Sequence, residues 1–102
     1  MLHSHVTPAG KRQAFLAGLA SGTIQRFPGA FTPLSARIID EKGFEGVYIS
    51  GAVMANELGL PDIGLTTLTE VAQRGAQISR NTDLPTLIDG DTGFGEPMNV
   101  AR

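Results

Sequence analysis

Two carboxylates and three glycines converge in the stretch Leu87-Ile88-Asp89-Gly90-Asp91-Thr92-Gly93-Phe94-Gly95. Core packing requires no such cluster after an apolar run, whereas a divalent metal ion does. Side chains alternate along an extended segment, so Asp89 and Asp91 are expected on one face, where both can approach a single cation directly or through its water. The glycines would let backbone amides come close to an anion held by that metal. The competing reading is structural, because Asp and Gly are common turn formers: Asp89 would cap the next helix and Asp91 would sit in a turn. Gly93-x-Gly95 does not extend to a dinucleotide fingerprint, since Pro97 and Met98 occupy the place of the third glycine.

These residues need a scaffold, and 102 residues with 41% hydrophobic and 18% charged composition suffice for one ordinary domain with a modest core. A formal charge of −2, without a basic block, argues against a nucleic-acid surface. The lack of cysteine removes disulfides, thiolate zinc sites and a cysteine nucleophile from these residues. No run reaches the roughly 18 apolar residues of a membrane span, and Met1-Leu2-His3-Ser4-His5 lacks the basic-then-apolar order of a signal peptide. Neither membrane nor secretion is indicated, and the cytoplasm is the expected compartment. His3-x-His5 is read as two exposed imidazoles on a frayed terminus rather than as a metal site.

Thr7-Pro8 has the form of an N-cap and first helical residue, and Phe15, Leu16 and Leu19 share one face of a leading amphipathic helix that ends at Ser21-Gly22. A short strand is expected at Ala30-Phe31-Thr32, closed by Pro33. A helix follows from Leu34 to Lys42, with Ile38 and Ile39 inward and Gly43 as its stop. Gly46 to Gly51 and Leu84 to Asp89 have the apolar, β-branched character of strands buried on both faces, as in parallel sheets. The Thr67-x-x-Glu70 capping box opens a helix through about Ser79, and Pro97 begins another. Strand and helix alternate, with a long connection after Ser50, so the class is α/β.

Tyr48-Ile49-Ser50-Gly51, Leu58-Gly59-Leu60-Pro61-Asp62 and Asp89-Gly90-Asp91-Thr92-Gly93-Phe94-Gly95, in that order, resemble the isocitrate lyase and phosphoenolpyruvate mutase superfamily, and within it the 2-methylisocitrate lyases. The resemblance runs from near Lys11-Arg12 to Arg102 and corresponds to about the first third of a member. It implies that residues 1–102 are the amino-terminal part of a (β/α)8 TIM-type barrel, a fold of roughly 250 residues with its site at the carboxyl ends of the strands.

The resemblance also assigns roles. Asp89 and Asp91 would hold Mg2+, with Mn2+ as a substitute, and Asp62 would join through water or orient the loop. Ser50, Gly51 and Ala52 would hold a substrate carboxylate, and Tyr48 would contact the pyruvate portion or help take up the hydroxyl proton. Asp62 also reads as a turn residue, and Tyr48 as a core aromatic. Many members carry a glycine where this chain has Ala52, which a backbone N–H contact would tolerate.

The implied reaction is cleavage of the tricarboxylate 2-methylisocitrate to pyruvate and succinate in propionate catabolism, by a homotetramer. Its expected difficulty is negative charge developing on the pyruvate fragment, met by Mg2+ as Lewis acid. The Lys-Lys-Cys-Gly-His loop of such lyases, whose cysteine protonates the succinate fragment, is absent, so these 102 residues alone are expected to be inactive. Two alternatives stand beside this. One is a sister enzyme acting on isocitrate, oxaloacetate or phosphonopyruvate; the other is a non-catalytic truncated chain.

Overall fold

The structure is a computed structural model and describes residues 3–102. Helix α1 (Pro8–Ala20) starts where Thr7 Oγ1 accepts the Gly10 N–H at 3.1 Å, with Pro8 supplying a pre-set φ in the first turn. Its expected apolar face is not covered: Leu16 and Leu19 are 63% and 60% exposed. Only Phe15 makes an aromatic contact, edge-on to Phe27 at 5.8 Å between ring centroids. Lys11 secures the helix by donating from Nζ to Ser79 O at 2.7 Å. Partial burial lowers the Lys11 pKa, against the opposing pull of Asp83 and Asp40. The segment before α1 is also held: the Asp83 carboxylate accepts from Ser4 Oγ at 2.8 Å and from the His5 amide at 2.7 Å. The terminus is therefore docked from Ser4 onward rather than frayed.

The strand expected at Ala30–Thr32 reduces to one parallel bridge, Gly29 to Tyr48. Tyr48 N donates to Pro28 O at 2.9 Å and Ala30 N donates to Tyr48 O at 2.8 Å. Pairing stops there because Pro28 has no N–H to give and Thr32 already caps α2 (Pro33–Glu41) in a capping box with Ser35. Gly43, at φ 80°, provides the left-handed exit expected of it. Of the two isoleucines expected inward, Ile39 is buried but Ile38 lies 47% exposed.

β1 (Val47–Ile49) pairs in parallel with β2 (Thr86–Ile88), in the register Val47–Thr86, Tyr48–Leu87, Ile49–Ile88. Val47 and Ile49 are fully buried, each worth roughly 1.5–3 kcal/mol of apolar burial. β2 departs from the expectation of burial on both faces: Leu87 and Ile88 are 48% and 42% exposed, since β2 has a strand neighbour on one side only.

A second departure follows β1. Where a long connection was expected, Ser50 caps a helix at once, α3 (Gly51–Glu57), with Gly51, Met54 and Ala55 buried. Helix α4 (Leu68–Ser79) begins at the Thr67–Glu70 capping box and packs against both α2 and α3. Helix α5 (Pro97–Ala101) closes the described order. The core gathers Ala30, Ala36, Ile39, Val47, Ile49, Met54, Val71 and Ile78, with Phe44, Leu84 and Phe94 packed against it. The buried Thr82 is satisfied by donating to Asp40 Oδ2 at 2.7 Å. No helix among the described residues is long and apolar enough to cross a membrane.

Thr67 Oγ1 accepts the Glu70 amide at 3.2 Å while Glu70 Oε2 accepts the Thr67 amide at 2.8 Å. Thr67→Ala removes half of that exchange at the start of the helix that spans the core. Chemical denaturation should show a loss of about 1 kcal/mol, with an unchanged far-ultraviolet spectrum.

Candidate metal centre

Ser50 and Asp89 each lie one residue beyond the carboxyl end of a strand, β1 and β2 respectively, and the parallel register makes them neighbours. The Asp89 amide donates to Ile49 O at 3.0 Å, extending the ladder by one bond. Its carboxylate then lies against the first residue of α3: a Cβ placed on Gly51 would be 3.0 Å from Asp89 Oδ2 and 3.2 Å from Cγ.

Asp91 reaches Asp89 by another route than strand alternation. The chain turns after Asp89. The Asp91 amide donates back to Asp89 Oδ1 at 2.9 Å, and Gly93 N closes onto Gly90 O at 2.8 Å. Asp91 and Phe94 adopt φ 44° and φ 62°, a left-handed backbone that non-glycine residues seldom occupy and that clusters at functional sites. Of the turn reading, Asp91 does sit in a turn, but Asp89 does not cap the next helix, whose N-cap is Glu96; the turn, not strand alternation, sets Asp91 beside Asp89.

The glycines serve a different purpose from the one expected. At Gly93, φ is 100°, and a Cβ there would fall 2.6 Å from Val100; at Gly95 it would be 3.0 Å from Asn99 Cβ. Both let α5 fold back onto the turn. Only Gly90 is open to an approaching ligand, with nothing within 4 Å of its Cβ position. Phe94, which the sequence did not single out, packs against the core and anchors the turn.

Asp91's pKa is raised, first by loss of hydration, then by the negative charges of Asp89 and Asp62 and by the hydrogen bond with Asp89. Three carboxylates therefore share one field, Asp62 contributing as a charge on the approach to α4. No group of three metal-ligating side chains is drawn together among the described residues. The corner thus offers a close pair with a third carboxylate in its field. Such a donor set fits Mg2+, which keeps several waters and takes one or two carboxylates. The ion pairs of the described residues join Arg26 to Glu45 and Arg74 to Glu57, and His5 lies beside Asp83, so none of them neutralises this corner.

An open cleft of about 430 Å³ adjoins it, with Asp91, Thr92, Phe94 and Gly95 on one wall and Gly64 to Leu68 on the other. Ser50 Oγ accepts the Val53 amide at 3.4 Å, which leaves its O–H free to donate. The amides of Gly51 and Ala52, in the first turn of α3, have no carbonyl within the helix to bond. Tyr48 shares a sheet face with Leu87, opposite the buried Val47 and Ile49.

A family model described as phosphoenolpyruvate phosphomutase matches residues 15–102. Over all 102 residues the chain is 64% identical to a protein named probable 2-methylisocitrate lyase 2 of Corynebacterium glutamicum, covering 33% of that protein. Over 92 residues it is 68% identical to probable 2-methylisocitrate lyase 1 of the same organism, 90% of this chain and 30% of the relative. The chain spans about a third of the length of these curated relatives. Among solved structures, a phosphonopyruvate hydrolase in complex with oxalate and Mg2+ superposes with a TM-score of 0.83 at 31% identity, covering 88% of this chain and 32% of that one.

The electrostatics make a prediction with a definite sign. Asp91's pKa is raised in the folded state, so the carboxyl favours folding below its unfolded value and loses that contribution as pH rises through the folded value. At neutral pH without metal its charge opposes folding. Asp91→Asn keeps a residue tolerant of the left-handed backbone. In EDTA at pH 7 it should melt at a higher temperature than the parent chain, and added Mg2+ should no longer raise that temperature.

Proposed function

The chain belongs to the phosphoenolpyruvate phosphomutase family, and from that premise we propose that it forms the metal- and carboxylate-binding corner of a 2-methylisocitrate lyase. The observation that carries this reading is the meeting of Asp89, Asp91 and the Ser50–Gly51 turn at the carboxyl ends of two parallel strands. In barrels of this class the strand ends are where chemistry is built. Residues 1–102 are read as the amino-terminal part of one (β/α)8 barrel domain. The half-exposed Leu87 and Ile88 of β2 and the bare face of α1 support that reading, as surfaces left for further barrel elements.

In this reading Asp89 and Asp91 hold Mg2+, or Mn2+ in its place, while Asp62 acts through water or by orienting its loop. When bound, the ion would act as a Lewis acid toward the pyruvate half of the substrate. Ser50 Oγ–H and the amides of Gly51 and Ala52 bind and orient that half through its carboxylate. Tyr48 lies on the same sheet face as Ser50 by strand alternation and helps to move the hydroxyl proton. Loss of that proton turns the hydroxyl into the pyruvate carbonyl as the carbon–carbon bond breaks. The electron pair of the bond goes to the succinate carbon, which must then gain a proton. The charge relieved at this corner is thus that of the hydroxyl oxygen, and the carbanionic charge falls on the other fragment. Cytoplasmic residence and a homotetrameric assembly belong to the same proposal.

The test is a transplant. These 102 residues, replacing the matched segment of the Corynebacterium glutamicum relative, should sustain Mg2+-dependent cleavage of 2-methylisocitrate to pyruvate and succinate, in preference to cleavage of isocitrate to glyoxylate and succinate. Asp89→Ala or Asp91→Ala in the transplant should lower kcat at least about 10²-fold. Turnover indifferent to both substitutions, or a preference for isocitrate, would contradict the reading.

A further inference from the structure

We infer that Gly51 is a positioning residue for the metal ligand Asp89, and that what it contributes is the absence of a side chain. The inference deepens the proposed function, since the importance of the Asp89 position rests on the metal reading.

Gly51 is buried at the start of α3, immediately after the Ser50 cap. Its φ is not among the positive values of the chain, so nothing in the backbone demands glycine there. Alanine would be the better helix former at that position by intrinsic preference. Space is what opposes it. A Cβ would stand 3.0 Å from Asp89 Oδ2 and 3.2 Å from Cγ, tighter than ordinary contact, and 3.5 Å from Cβ, so the carboxylate would have to give by a few tenths of an ångström.

Asp89 has little freedom to yield. Its amide is fixed to Ile49 O at 3.0 Å, and its Oδ1 accepts the Asp91 amide at 2.9 Å. Movement of the carboxylate away from position 51 would therefore strain the bond that Asp89 Oδ1 accepts from the Asp91 amide in its left-handed turn. One methyl at position 51 would disturb both proposed ligands at once. This differs from a role in offering a backbone amide to substrate, because alanine has the same amide.

A double-mutant cycle of Gly51→Ala and Asp89→Ala on the 102-residue chain, melted in EDTA, tests the contact without metal or activity. Gly51→Ala should lower Tm by about 5 °C in the parent and leave it unchanged or raised in the Asp89→Ala background, where the obstructing carboxylate is gone. Hydrogen exchange at the Asp91 amide should quicken in Gly51→Ala. Gly29→Ala, whose Cβ would meet only Tyr48 O at 4.0 Å, serves as a neutral comparison.

Equal Tm shifts in both backgrounds, or no shift in either, would overturn the inference. Should Gly51→Ala fail to fold, recovery of folding in the double variant supports it and failure to recover overturns it. Where the parent binds Mg2+, Gly51→Ala should weaken that binding about tenfold, and unchanged affinity would refute the positioning role. A parent chain that binds no Mg2+ but shows the coupling would retire the metal reading and leave the contact standing.

Discussion

The parallel register of β1 with β2 is the constraint from which the rest of this molecule follows. With Ile49 paired to Ile88, the next ladder bond, from Asp89 N to Ile49 O, sets Asp89 beside the point where the chain leaves β1 and enters α3. A one-residue slip would turn Val47 and Ile49 out of the core and carry Asp89 away from Gly51. Register is thus coupled to core burial, and the position of the carboxylate is stabilised by apolar residues that never touch it. The capped helices maintain this arrangement, with α4 packed against α2 and α3 beside the sheet.

That rigidity supports a locally unfavourable arrangement. Asp91 sits at φ 44° with its carboxyl facing the charges of Asp89 and Asp62. A structural turn would be easier to build with Asn or Gly, and no structural need explains a second carboxylate there. Accumulated like charge beside a left-handed residue is the kind of locally costly arrangement that the proposed cation would relieve. The compensations are nearby and specific: Phe94 anchors the turn in the core, and Gly93 and Gly95 admit Val100 and Asn99 of α5. The Arg26–Glu45 pair, which depresses the Glu45 pKa to about 2, lies in a separate ion pair and leaves this charge uncompensated.

Where local rules suffice, the sequence was legible. Thr7-Pro8, Thr67-x-x-Glu70 and Gly43 act as the start and stop signals they spell, because a cap depends on only three or four neighbouring residues. β1 was legible from its apolar, β-branched run. Helix α3 was missed because Ser50-Gly51 reads as a strand exit; the spacing of Gly51, Met54 and Ala55 was the available signal. The exposure of Leu16, Leu19 and Leu87 was not legible, since periodicity says which residues seek cover and not what covers them. At the site, Asp89 and Asp91 were identified as a pair, yet the geometry joining them was not. The turn was legible in its Asp and Gly residues, but its setting of Asp91 beside Asp89 was not. The contact between Gly51 and Asp89 spans two strands and is a tertiary fact.

The central claim is that two carboxylates at this strand end form a cation site already built into the fold. Calorimetric titration of Mg2+ into the 102-residue chain, with and without pyruvate, tests it most directly when repeated on Asp89→Ala and Asp91→Ala. The predicted result is saturable binding by the parent chain, strengthened by pyruvate and lost in both variants. A chain that is folded by circular dichroism yet takes up no Mg2+, or binds it equally well without either aspartate, would contradict the claim.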